Sequence, residues 1–106
     1  MESRELLPFL GLMRKAGRLL PGEENSRRAV RSGKAKLIIL SSDSSANAAK
    51  RAEAFSAAAH CPLLRLSFDR SAFGDALGVA PFSIAAVTDE GFAEALQKKV
   101  EQSERN

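Results

Sequence analysis

The run Leu37-Ile38-Ile39-Leu40 constrains this chain more than any other stretch. An extended segment points successive side chains to opposite faces, so four aliphatic residues in a row have no side suited to water. Such a strand belongs in the middle of a sheet covered on both faces, as in layered α/β folds. The residues on either side agree with this. A polar, basic helix precedes the run and ends at Gly33, and an alanine-rich helix follows the loop Ser41-Ser42-Asp43-Ser44-Ser45.

Read in order, the chain alternates helices and strands. The first helix is expected over residues 4–16, with Leu6, Leu7, Leu10 and Met13 facing the core and Ser3 as N-cap. Pro8 conflicts with that start, since a proline beyond the first turn removes an intrahelical donor. Gly17 ends the helix, and Arg14 and Lys15 complement its dipole. Arg18-Leu19-Leu20 reads as a short strand stopped by Pro21-Gly22. The basic helix covers residues 23–32, with Ala29 and Val30 as its only clear core anchors. Asp43 or Ser44 is expected to cap the helix over residues 45–59, whose one large anchor is Phe55. Further on come a strand at 63–67, a short helix at 69–77 ended by Gly78, an apolar loop Val79-Ala80-Pro81 and a strand at 83–88. Asp89 caps a last helix that packs through Phe92, Leu96 and Val100, with a frayed tail from about Gln102. This pattern predicts one α/β domain over residues 1–106, a three-layer α/β/α sandwich around a mixed four-stranded sheet.

At 106 residues, 44% of them hydrophobic and 27% charged, the chain can bury one core and is not of disordered composition. No apolar run approaches the ~20 residues of a membrane span, and the N-terminus makes a poor signal peptide. The single cysteine, Cys61, excludes an intrachain disulfide framework and fits a reducing compartment, so a soluble cytoplasmic protein is expected. The net charge of +3 is unevenly spread: residues 1–36 hold nine basic and four acidic side chains, whereas residues 61–106 hold five and seven. A polyanion partner for the N-terminal third follows from that asymmetry.

Catalytic chemistry finds little support. The only histidine, His60, adjoins Cys61 on what should be extended chain, where neighbours point apart; a nucleophile pair is not expected. No metal-ligand spacing, cofactor motif or acid–base pair stands out, and the acids Glu23, Glu24, Asp43, Asp89 and Glu90 sit where helix starts favour them. The Ser41–Ser45 loop lacks the glycines and lysine of a phosphate-binding loop, so capping is its expected role. Gly22 opening a helix is different. It presents unpaired N–H groups and a positive dipole end, followed by Arg27, Arg28 and Arg31 and then Lys34 and Lys36. With no Trp or Tyr and no paired aromatic motif, nucleic-acid binding there depends on a helix end, basic side chains and shape. Structured RNA suits that chemistry better than duplex DNA, because bent or bulged helices expose base edges.

The segments PGEENSRRAVRSGKAKLIILSSD and LGVAPFSIAAVTDEGF resemble the kink-turn RNA-binding family of large-subunit ribosomal proteins, the "L-seven-Ae" type, and are closest to its small bacterial members. The resemblance spans about residues 6–96. It implies a non-catalytic protein that needs no cofactor and grips a sharply bent RNA with tandem sheared G·A pairs, ribosomal or regulatory. By position, Gly22 admits the RNA backbone, Glu24 stands where the family has Asn, Asn25 where it has Glu, Ser26 where it has Thr, and Arg28 where it has Lys. The Asn-Glu order is thus inverted, and a one-residue shift turns a helical side chain by about 100°. Asn25 can both donate and accept in place of a carboxylate. Val79, Ala80 and Pro81 match the loop that packs on a flipped-out base, with Ala80 where archaeal members have arginine, and Lys36 matches a basic position before the central strand. The expected RNA contacts are therefore Gly22, Glu23, Glu24, Asn25, Arg27, Arg28, Arg31, Lys34, Lys36, Val79, Ala80 and Pro81. A monomer when free, working in translation and associated with the ribosome, is the expected setting. The alternative is a ribosome-associated module that meets an acidic protein through the same basic helix.

Overall fold

A computed structural model of the chain describes residues 5–104. Four strands, β1 (Leu19–Pro21), β2 (Leu37–Leu40), β3 (Leu63–Arg65) and β4 (Ile84–Val87), form one mixed sheet in the order β1-β4-β2-β3. β2 runs parallel to β3 and antiparallel to β4, and β4 is antiparallel to β1. Among the described residues five helices complete the fold: α1 (Leu6–Lys15), α2 (Glu23–Arg31), α3 (Ala46–Ala59), α4 (Arg70–Leu77) and α5 (Glu90–Glu104).

The two central strands explain the layers. Leu37 and Ile39 of β2, with Ala85 and Val87 of β4, join a core built with α1, α4 and α5. Ile38 and Leu40, with Ile84 and Ala86, join a second core built with α2 and α3. Each apolar run is split between two covered faces, the arrangement required of strands with no polar side. On the second face Ala48 and Ala52 are buried, and Phe55 packs half-buried against them. The expected three-layer α/β/α sandwich is the fold observed.

Several boundaries differ from expectation for local reasons. Ser3 and Arg4 lie outside the described residues. α1 begins at Leu6, so Pro8 sits in the first turn, where its missing N–H has no intrahelical acceptor to lose. Pro21 belongs to β1, opposite Ala85, rather than stopping it; β1 is an edge strand, where a missing donor breaks no ladder. The strands at 63–67 and 83–88 shrink to Leu63–Arg65 and Ile84–Val87. The cap of α3 is neither Asp43 nor Ser44 but Ser45, whose Oγ accepts from the Ala48 N–H at 3.1 Å. Asp69 caps α4 and Asp89 caps α5 in the same way, through bonds from the Ala72 and Phe92 N–H groups at 2.8 and 2.9 Å. α5 is helical to Glu104, beyond Gln102, with Val100 buried one turn earlier. Among the described residues no helix is long and apolar enough to cross a membrane.

Candidate nucleic-acid interface

Strand order gives the sheet two distinct ends. At one, β1 and β2 finish and β4 begins, so Gly22, the Ser41–Ser45 loop and residues 79–83 meet there. At the other, β1 and β2 begin and β4 finishes. Gly22 is the N-cap of α2 with φ 99°, and a Cβ at this position would meet nothing within 4 Å. That φ is open to glycine and strained for other residues, and the space above the backbone is clear. The Gly22 N–H donates to the Ile84 carbonyl at 2.8 Å, tying the start of α2 to the start of β4. Between them lies a cleft of about 370 Å³ lined by Gly22, Glu23, Ser45, Arg51, Arg70 and Pro81, among others.

The first turn of α2 is held from within. Ser26 is fully buried, and its Oγ donates to the Gly22 carbonyl at 2.8 Å. Asn25 Nδ2 donates to the Pro21 carbonyl at 2.7 Å, so this amide braces the turn from strand to helix. Arg27 bonds Glu24 at 2.6 Å and Glu23 at 3.3 Å, with its guanidinium 5.7 Å from the Phe55 ring centre. Glu23 also receives Arg51 Nε at 2.6 Å, which joins α2 to α3. Arg28 is exposed and forms no ion pair among the described residues; it shares the outward face of α2 with Glu24, four positions earlier.

The second jaw is a rigid loop. Gly78 ends α4 in the left-handed region, and the Val79 N–H returns to the Gly74 carbonyl at 2.9 Å. Gly74 makes this possible: a Cβ there would stand 2.7 Å from the Val79 carbonyl oxygen and 2.9 Å from the Pro81 nitrogen. Phe82 is buried and stacked on Phe73, with ring centres 5.3 Å apart, which pins the far side of the loop. Ala80 and Pro81 face solvent and Val79 is half-buried.

Behind the cleft the serine-rich loop acts as a brace. Asp43 accepts from the Arg70 backbone N–H at 3.0 Å and from its guanidinium at 3.3 Å, and Arg65 bonds the Ser44 hydroxyl at 2.8 Å. Desolvation pushes the Asp43 carboxyl up, but the Ser41 hydroxyl and the Arg70 bonds and charge more than offset it, leaving its pKa below the ordinary value.

The structure therefore brings Gly22, Glu23, Glu24, Asn25, Arg27 and Arg28 to the same end of the sheet as Val79, Ala80 and Pro81. It does not bring Arg31, Lys34 and Lys36 to that cleft. α2 spans nine residues, about 14 Å, and its C-terminal end lies at the opposite end of the sheet, where the Lys36 N–H bonds the Val87 carbonyl. Nothing local in sequence points to Arg51 and Arg70, whose partners are 28 and 27 positions away. Gly74 did leave a signal, since a glycine inside a helical pattern costs about 1 kcal/mol relative to alanine and calls for a reason.

Among the described residues His60 and Cys61 form no nucleophile–base pair. His60, the left-handed C-cap of α3, is exposed. Cys61 is half-buried, its thiol pushed up by desolvation against the opposing charge of Lys36. Among the described residues no group of three or more His, Cys, Asp and Glu could hold a metal ion.

Comparison with known proteins points to one family. The RNA-binding protein YlxQ of Bacillus subtilis (strain 168) is 32% identical over 96 residues, covering 91% of this chain and 95% of its own. The RNA-binding protein YlxQ of Enterococcus faecium is 28% identical over 98 residues, covering 92% and 93%. A solved Bacillus halodurans protein of unknown function superposes with a TM-score of 0.83 at 30% identity, covering 93% of this chain and 99% of that one. The Giardia lamblia 15.5kD RNA binding protein shares the fold, with a TM-score of 0.68 at 18% identity over 99% and 92% of the two chains. These likenesses bear out the expected kinship with the family's small bacterial members. With residues 4–97 matching its pattern, the chain belongs to the ribosomal protein L7Ae/L30e/S12e/Gadd45 family.

Proposed function

We propose that this protein binds structured RNA without catalysis, and that its target is a kinked, kink-turn-like element of ribosomal or regulatory RNA. The observation that carries the reading is the tie between the two jaws. The Gly22 N–H bonds the Ile84 carbonyl, which holds an open helix N-terminus beside the rigid Val79-Ala80-Pro81 loop across one cleft. A duplex bent sharply enough to expose base edges can present them to Glu24, Asn25 and the free N–H groups of α2, while a splayed base lies against the loop. Arg28, exposed and without an ion pair among the described residues, supplies a charge for phosphate or guanine. The bacterial relatives that carry the name RNA-binding protein support the partner class. In this reading the protein works as a cytoplasmic monomer within a ribonucleoprotein, associated with the ribosome in translation.

The test is a titration of the purified protein against a kink-turn RNA and against the same RNA with its tandem G·A pairs replaced by Watson–Crick pairs. A preference of at least about tenfold, roughly 1.4 kcal/mol, is expected for the kinked RNA. Equal affinity for both would overturn kink recognition.

A further inference from the structure

The end of the sheet remote from the cleft carries a repeated device. α1 and α2 both finish in a glycine, Gly17 and Gly33, and the next residue bonds back into the helix: the Arg18 N–H to the Met13 carbonyl and the Lys34 N–H to the Ala29 carbonyl, each at 2.9 Å. A strand follows each turn, β1 after Arg18 and β2 after Lys34-Ala35-Lys36. Leu19 of β1 and Leu37 of β2 both pair with Val87, so Arg18 and Lys36 flank the end of β4. They stand two strand spacings apart, about 10 Å. Arg14, Lys15, Arg18, Arg31, Lys34 and Lys36 are all exposed, and none forms an ion pair among the described residues. They outnumber the acids of that end, Asp89, Glu90 and Glu94, none of which pairs with them.

Helix dipoles account for cations in last turns. They do not account for Arg18 and Lys36, which lead into strands. We propose that this end of the sheet is a second RNA-contact surface that takes the phosphate backbone of a duplex, independently of the cleft. Charge complementarity selects the occupant. A protein partner calls for an apolar centre, and between these cations the two turns offer Ala16, Gly17, Ser32 and Gly33. Regularly spaced phosphates need only separated, mobile cations. Arg28 and Arg31, three positions apart on α2, link the cleft to this surface, so one RNA can follow the helix from end to end.

The inference rests on the RNA-binding reading and not on kink recognition, so the probe is a plain A-form RNA duplex. Binding of the full chain and of the triple variant Arg18→Ala, Lys34→Ala, Lys36→Ala is measured from about 50 to 200 mM salt, the range over which phosphate contacts dominate. The variant should lose about one unit of log–log salt slope per cation removed, and on the order of tenfold or more in low-salt affinity. The charge-preserving variant Arg18→Lys, Lys34→Arg, Lys36→Arg should keep the wild-type slope, and matching melting temperatures establish that each variant is folded. If the wild type binds the duplex and the alanine variant matches it in slope and affinity, the second surface is refuted while cleft recognition stands. If the wild type binds neither duplex nor kinked RNA, both readings fall.

Discussion

At the cleft end of the sheet Arg27, Arg51 and Arg70 each meet a carboxylate, and Arg65 meets a serine hydroxyl. At the far end Arg18, Lys34 and Lys36 meet none among the described residues. The first set of cations is tied into the protein: Glu23 receives both Arg27 and Arg51, and Asp43 both the backbone and the guanidinium of Arg70. Surface ion pairs of this kind contribute only about 0–1 kcal/mol each, so their use here is positional. They orient a helix N-terminus, a capped loop and an edge of the cleft relative to one another. The far end differs in its charge: its described cations carry no ion pair, and the recess there, of about 350 Å³, is lined by Gly33, Lys36, His60, Glu90 and Glu94, among others. Charge alone therefore does not mark the proposed site: Arg28 apart, the cations named at the cleft end are already engaged within the protein.

Variants can break this contrast, beginning with the largest expected effect. Gly74→Ala puts a Cβ against the backbone of Val79 and Pro81. It should destabilise the fold by about 1–3 kcal/mol, as overpacking does, read as a lowered denaturant midpoint. The same variant should lose preference for kinked RNA while its salt slope on plain duplex stays that of the wild type; loss of both together would erase the distinction between the ends. Arg28→Ala should weaken binding to kinked RNA by about 1–3 kcal/mol without changing thermal stability, since this side chain forms no ion pair among the described residues.

Ser45→Ala removes the cap of α3 behind the cleft. A loss of about 1 kcal/mol is expected, visible in thermal melts, with duplex binding at the far end unaffected. The smallest effect is confined to acid. Asp43 titrates below its ordinary value of 3.8 when folded, so its contribution is present above that pH and is lost as pH falls through the lower folded value. Asp43→Asn should therefore flatten the acid limb of the stability curve below about pH 3.8. An identical acid limb in wild type and variant would show that the carboxylate is not engaged.

Which features were legible in the sequence follows from how local they are. Asp89 was readable as a cap because the donor it serves is the N–H three residues on. Asp43 stands in the same sort of context but serves Arg70, 27 positions away, which the β2–β3 pairing brings beside it. Asn25 reads as a ligand-facing amide in sequence, and its Nδ2 is bonded to the Pro21 carbonyl in the fold. Arg27 reads as a free cation and is paired with two acids of its own helix; spacings of three and four positions made that visible in principle.

The sequence by itself determined the layered architecture, the two-sided burial of Leu37–Leu40 and Ile84–Val87, the family and the basic bias of the first 36 residues. All of these depend on alternation, helical periodicity and composition, which are properties of neighbouring residues. Only the tertiary structure decided that Gly22 and Pro81 share a cleft, that Arg51 and Arg70 border it, and that Lys34 and Lys36 lie with Arg18 at the other end. The reason is the strand order β1-β4-β2-β3, which inserts the last strand between the first two. That insertion brings the start of β4 to the start of α2, and α2 then carries the following basic residues the length of the sheet away.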